Sequence, residues 1–378
     1  MAKLGEVFTI ASGGTPDKRN PSYYENGTIP WVKTGDLKNQ YVPAGIECIT
    51  EEGLNNSSAK LFPPHTVLVA MYGATIGACS ILSYEAATNQ ACAAFLPNEN
   101  VLPTYLYYFL SSKRDQFVKD GVGGAQPNIS AGYLKNVQFD LVPVRQQEVI
   151  VERLDKVENL IALRKEQLAK LDQLVKSRFI ELFGEYDERK RLEEIATLIT
   201  KGASPKWQGV DYCEEGTLFV TSENVREGYL DLSKRKYLDN KINEIQPRSM
   251  LKRNDILINI VGASIGRAAV YDCDEVANIN QAVALVRVDY SQINQTYLMT
   301  FLNSPQAIEM YGKMKKGGAR DNLSLQNIAD LQIPVSSMEL QKQFATFIEQ
   351  TDKSKLAIQQ SLDKLELLKK SLMQEYFG

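Results

Sequence analysis

Apolar positions along the chain change their spacing twice, and the second half repeats the changes of the first. Short runs such as Thr66-Val-Leu-Val-Ala-Met-Tyr72 and Asp255-Ile-Leu-Ile-Asn-Ile-Val261 are bounded by Pro or Asp before and Gly after, and they predict strands. Gly73-Ala-Thr-Ile-Gly77 and Gly262-Ala-Ser-Ile-Gly266 follow at once, and the Ala/Cys/Val-rich residues beyond them predict the second strand of a hairpin or sheet corner. A helix opening on Pro103 is predicted to run to Phe117, with a counterpart from Asn294 to Met310. Each half is therefore α+β, with more strands than helices.

After Pro143 and Pro334 the spacing becomes three and four. Leu154, Val157, Ile161, Arg164, Leu168, Leu171, Val175, Arg178 and Leu182 form the seam of a coiled coil, and the second copy places Ile348, Thr351, Lys355, Ile358, Leu362, Leu365, Lys369, Leu372 and Tyr376 in the same register. About 38 residues at 1.5 Å each give a helix on the order of 57 Å, longer than one such module needs for itself. Neither helix can bury its stripe alone, so the two are expected to pair. Two long surface helices, each packed on its own module, are the plainer alternative.

The duplication is legible residue by residue. Leu4-Gly-Glu-Val aligns with Leu192-Glu-Glu-Ile at an offset of 188, the Gly73 and Gly262 loops at 189, and Asn89-Gln90-Ala91 with Asn280-Gln281-Ala282 at 191. Gly123-Gly-Ala-Gln-Pro-Asn-Ile-Ser130 aligns with Gly317-Gly-Ala-Arg-Asp-Asn-Leu-Ser324, and the helices close on Leu182-Phe183-Gly184 and Tyr376-Phe377-Gly378. Offsets that drift this little, in unchanged order, mean a duplicated domain with small insertions; the period is far too long for a solenoid. The expected divisions are a first head over 1–144, a helical spacer over 145–184, a linker over 185–191, a second head over 192–334 and a second helical spacer over 335–378.

Composition narrows the chemistry. At 378 residues, with 44% hydrophobic and 24% charged residues, the chain is long enough for two ordinary cores. No stretch is apolar enough for a membrane span and the start lacks a signal-peptide layout, so a cytoplasmic protein with no membrane partner is expected. Five scattered cysteines without a C-x-x-C pair, four of them among apolar or small residues, predict buried free thiols, and His65, the only histidine, leaves neither a zinc cluster nor a Ser-His-Asp system. Dinucleotide and P-loop glycine patterns are missing too. Asn20-Pro-Ser-Tyr23 is similar to the N-P-P-Y element of adenine methyltransferases but lacks its second proline, and Glu188-Arg-Lys190 matches a nuclease E-x-K triplet yet sits where a solvated hinge is expected. No catalytic or metal site is assigned. Net charge of −3 excludes binding through bulk positive charge, so any nucleic-acid contact must come from local patches. Two similar but diverged heads on a rigid spacer suit a recognition or scaffold protein that reads two patches at a fixed separation.

These residues resemble the specificity subunits of type I restriction-modification systems. The resemblance is carried by Leu4-Gly-Glu-Val, Ser12-Gly-Gly-Thr-Pro16, Ile29-Pro-Trp-Val-Lys-Thr-Gly-Asp-Leu37, Met71-Tyr-Gly-Ala-Thr-Ile-Gly77, Asn89-Gln90, Pro127-Asn-Ile-Ser130 and the Pro143-Val-Arg-Gln-Gln-Glu exit into the long helix. The second copy carries Lys201-Gly-Ala-Ser-Pro205, Thr221-Ser-Glu-Asn-Val225, Asn280-Gln281 and Asn322-Leu-Ser324. It implies two target-recognition domains that each read half of a split, asymmetric double-stranded DNA sequence. It also implies an antiparallel coiled coil that docks two methyltransferase subunits, with nuclease-translocase subunits joining. S-adenosylmethionine, ATP and Mg²⁺ would belong to those partners, and this chain would hold no cofactor. The specificity subunit of a related two-subunit modification enzyme, a methyltransferase or nuclease with diverged motifs, and a coiled-coil adaptor without DNA function are the competing readings.

Base reading needs Arg or Lys for guanine and Asn or Gln for adenine, held on loops over a rigid scaffold. The candidates are Lys33, Thr34, Gln126 and Asn128 in the first head, and Thr221, Ser222, Arg320 and Asn322 in the second. Lys18 and Arg19, and in the second head Lys313, Lys315, Lys316 and again Arg320, are candidate phosphate contacts. Asn89-Gln90 and Asn280-Gln281, set among small apolar residues, are read as groups that satisfy buried backbone.

Overall fold

A computed structural model describes residues 1–122, 128–184, 188–314 and 321–378. The chain forms two compact units, residues 1–165 with 360–378, and residues 166–359. Gln126, Lys315, Lys316 and Arg320 lie outside the described residues.

In the first unit one antiparallel sheet has the strand order Ile10–Ser12, Cys92–Phe95, Val67–Ala70, Cys79–Ile81. A second sheet has the order Cys48–Ile49, Ile29–Val32, Ala86–Thr88, Leu61–Phe62, with Ile29–Val32 and Ala86–Thr88 parallel. The apolar run at 67–70 is explained by its position. Val67 and Val69 face a core that holds Tyr105, Phe109 and Phe139, while Leu68 and Ala70 face a second core with Val32, Phe62 and Ala94. A strand covered on both sides shows no polar alternation.

The second unit repeats this plan. Ala196–Lys201, Val283–Val288, Ile256–Asn259 and Ala268–Val270 make the antiparallel sheet. Thr217–Val220 again lies parallel to Ala277–Ile279 in the other sheet, whose order is Tyr212–Cys213, Tyr237–Leu238, Thr217–Val220, Ala277–Ile279. Ile256 and Ile258 face a core with Tyr297 and Phe301, and Leu257 faces Leu218 and Val220. The two units share their central strands and differ at the sheet edges.

Three expectations are corrected. The helix from Pro103 ends at Ser112, and a separate helix covers Arg114–Asp120; its counterpart is likewise two helices, Gln295–Leu302 and Pro305–Met314. Pro305 has no N–H to continue the first of these and disfavours helical geometry at Ser304, so it starts a new helix instead. Arg189–Arg191, assigned from sequence to the linker, is a strand antiparallel to Gln332–Pro334.

The long helices span Val144–Phe183 and Met338–Phe377. In the first unit Arg153 Nη1 donates to the Tyr376 hydroxyl at 2.9 Å, Arg164 Nε to Ser361 Oγ at 3.2 Å, and Lys369 pairs with Glu158, so the helices run antiparallel. In the second unit Lys355 meets Asp172 at 2.6 Å and the Phe179 and Phe344 rings lie 5.5 Å apart, again antiparallel. Leu154, Val157, Ile161, Ile348 and Leu362 are buried. Leu168, Leu171, Val175, Ile358, Leu365 and Leu372 are half-buried. Leu154 and Phe377 enter the first unit's aromatic core, and Phe179 and Phe344 the second's, so each helix pair is welded to its own head.

Candidate nucleic-acid interface

Four backbone bonds gather the first head's loops on one edge. Gly14 N–H donates to Thr88 O at 2.9 Å, Asn89 N–H to Val32 O at 2.9 Å, Met71 N–H to Ala91 O at 2.8 Å and Ile129 N–H to Met71 O at 3.0 Å. The opening glycine loop, the turn after Val32, the Gly73 loop, Asn89-Gln90 and the Asn128 segment therefore lie side by side. The second head makes the matching bonds from Asn280 to Val220 at 3.1 Å, Ile260 to Ala282 at 2.9 Å and Leu323 to Ile260 at 2.9 Å. Close packing fixes one glycine in each head. A Cβ on Gly13 would stand 2.0 Å from Thr88 O, and one on Gly202 would stand 1.7 Å from Ile279 O. No side chain fits where loop and strand touch so closely.

On this scaffold the diverged positions take different roles. Lys33 N–H donates to Asp36 Oδ2 at 2.8 Å and closes the turn Thr34–Asp36; Thr34 is half-buried. The Lys33 ammonium reaches Glu47 Oε2 at 2.5 Å and stands 6.0 Å from the Trp31 ring centre, and the bond to Glu47 raises its pKa. Lys33 thus remains a cation at the edge, already shared with a carboxylate. In the second head Thr221 N–H donates to Asn224 Oδ1 at 2.9 Å in the corresponding turn. The Thr221 hydroxyl turns inward to the same oxygen at 3.1 Å, and Thr221 is only 7% exposed. That corrects its assignment as a base reader: it caps the turn. Ser222 stays half-buried at the edge, and its carbonyl accepts from Asn259 Nδ2 at 3.0 Å.

Asn128 and Asn322 are exposed and hold equivalent places, bridged through their backbones to Tyr72 and Val261. Lys18, Arg19 and Lys313 are also exposed, but Arg19 clamps Asp17 at 2.8 Å and holds that carboxylate down at about 2, while Lys313 pairs with Glu309 at 2.7 Å. The Asn-Gln pairs divide. Asn89 Oδ1 accepts from Ala91 N–H at 3.2 Å and Asn280 Oδ1 from Ala282 N–H at 3.1 Å, which are backbone-satisfying turns as read from sequence. Gln90 and Gln281 instead point outward at the same edge, with Gln90 Oε1 accepting from the Thr15 hydroxyl.

Sequence reasoning missed three residues here. Tyr72, 43% exposed, flanks the Asn128 bridge in the first head. In the second, Asn259 replaces Ala70 in the central strand and donates to Ser222 O, Val225 O at 3.2 Å and Ser264 Oγ at 3.2 Å, tying two edge loops together. A polar residue inside an otherwise apolar strand was the available signal. The third, Trp207, had none, because exposure is not visible in sequence. Asn20, in the element similar to a methyltransferase motif, caps the short turn Pro21–Tyr23 through Ser22 N–H.

Two tandem units, each with two four-stranded sheets carrying a diverged loop edge and packed on its own stretches of the long helices, define a duplicated recognition architecture. Residues 1–173 and again 186–368 match the Type I restriction modification DNA specificity domain, and the chain belongs to that family. It is 30% identical over 162 residues to the Type I restriction enzyme EcoR124I/EcoR124II specificity subunit of Escherichia coli, covering 42% of this chain and 40% of that protein. It is 29% identical over 198 residues to the MjaIX specificity subunit of Methanocaldococcus jannaschii, covering 51% of this chain and 45% of that one. The chain thus spans under half the length of these two curated relatives. Among solved structures, a chain from work on complex assembly and conformational transition of the type I R-M system superposes with a TM-score of 0.68 at 17% identity, covering all of this chain and 96% of that one. The type I restriction-modification S subunit of M. genitalium gives 0.56 at 14% identity, over all of this chain and 95% of the other. At such identities the likeness is one of fold. Among the described residues no helix is long and apolar enough to cross a membrane.

Proposed function

We propose that the chain is the non-catalytic DNA sequence-specificity subunit of a type I restriction-modification assembly, each head reading one half of a bipartite, asymmetric duplex target. The observation that carries this reading is the repeated edge: the same backbone bonds hold the same loops twice, with Lys33 and Thr34 presented in one head and Ser222 in the other. Shared residues keep the scaffold, and divergent ones read different bases.

Two methyltransferase subunits dock on the long helices, and nuclease-translocase subunits join them; S-adenosylmethionine, ATP and Mg²⁺ act on those partners. Apolar residues off the paired seam support docking: Leu160, Leu163 and Leu367 in the first unit, and Leu174, Ile180 and Leu356 in the second, are exposed. In the second unit a cavity of about 600 Å³ opens beside Phe179, Ile180, Tyr229 and Ile348. Methylation mapping of host DNA with and without the gene tests the proposal. A split modified motif should vanish on deletion, and replacing residues 192–334 by another head should change one half of the motif only. An unchanged methylation pattern would refute the reading.

A further inference from the structure

Trp207 is 84% exposed, whereas the chain's other tryptophan, Trp31, is 1% exposed. A free indole in water forgoes one of the largest apolar burials a side chain offers. The backbone beneath it is firmly held. Pro205, buried, opens the short turn Pro205–Gln208, which Gly209 closes in the left-handed region at φ 63°. Trp207 N–H donates to Ser204 O at 3.1 Å and Val210 N–H to Pro205 O at 3.1 Å. Upstream, Gly202 is wedged against Ile279 O beside the Asn280-Gln281 edge. The loop that carries Trp207 therefore departs from the proposed reading edge. The corresponding stretch of the first head, after Pro16, carries exposed Lys18 and Arg19 instead.

Lys206 beside Trp207 is exposed, and so are Asp211, Glu214 and Glu215 on either side of the strand Tyr212–Cys213; the excess of carboxylates disfavours close phosphate contact. An indole offers a flat apolar face and one N–H donor, which suit deoxyribose and base surfaces in a duplex groove. We infer that Trp207 is an apolar DNA contact of the second head, packing its indole against base and sugar at the place where the first head carries Lys18 and Arg19. This rests on the DNA-reading function proposed above and adds the residue and the kind of contact.

The test uses the full chain assembled with its methyltransferase subunits and a duplex carrying the motif found by methylation mapping. The wild-type emission minus that of Trp207→Phe isolates the Trp207 signal. That signal should become shielded from acrylamide when the duplex binds. Trp207→Ala should weaken binding about tenfold, within what one lost base contact costs, and leave the salt dependence unchanged because no counterion is released. Tight wild-type binding with Trp207 still open to acrylamide, unchanged affinity of Trp207→Ala, or a salt slope reduced by about one would overturn the assignment alone. Failure of the wild-type assembly to bind the duplex would instead overturn the DNA reading beneath it.

Discussion

Arg287 grips Asp255 with two nitrogens, Nε to Oδ1 and Nη2 to Oδ2, each at 2.7 Å, and the carboxylate is fully buried. Lys252 N–H adds a third bond to Asp255 at 2.7 Å, and the contact raises the Arg287 pKa. The strand registers place Thr66 and Leu96 at the same two positions of the first head, so neither of these positions is charged there. Removing one partner of a buried pair leaves an uncompensated charge, whereas replacing both is often neutral. Arg287→Met should therefore destabilise the second unit by about 3 kcal/mol. The double variant Asp255→Thr/Arg287→Leu should recover most of the loss. Denaturant unfolding measures both.

The two turns after the parallel strands should respond differently to mutation. Thr221→Val removes the hydroxyl cap on Asn224 and should cost about 1 kcal/mol. Lys33→Ala breaks a part-exposed ion pair and should change stability by less than about 1 kcal/mol. Its effect should fall on DNA affinity, read by competition binding with duplexes altered in one half of the motif.

Helix pairing is tested by contrasting positions. Leu154, fully buried in the first unit's core, should cost about 3 kcal/mol as Leu154→Ala. Leu367, 66% exposed, should cost under about 0.5 kcal/mol as Leu367→Ala yet weaken methyltransferase docking. Thermal unfolding and co-purification separate the two effects.

The thiols give a pH-dependent test. Burial pushes Cys79 and Cys92 up to about 12, so both stay protonated in the folded chain. Their contribution to stability is full below the ordinary thiol value of 9.0 and is lost as pH climbs toward 12, because unfolding then frees protons. Melting temperature should fall across that window, less steeply in Cys79→Ala/Cys92→Ala. The burial expected of the thiols holds only for Cys79 and Cys92; Cys48 and Cys273 are half-buried, and exposed Cys213 should react first with a thiol reagent at neutral pH, Cys79 and Cys92 only on unfolding.

Much of this fold was present in the order of residues. The duplication, the central strands at 67–70 and 256–259 and the two long helices follow from spacing alone, because burial on one face or two imposes its own period on apolar residues. The heptad stripe also determined that each helix needs a partner. What the chain order could not contain is contact between residues far apart in sequence. Only tertiary structure turned Thr221 inward onto a cap, gave Lys33 to Glu47 and separated Gln90 from Asn89 at one edge. A polar side chain near a turn reads the same whether it satisfies backbone or faces solvent, and the choice depends on which strand ends lie beside it. Trp207 shows the same limit: an apolar residue implies a core in sequence, and only the anchored turn beneath it holds it in water.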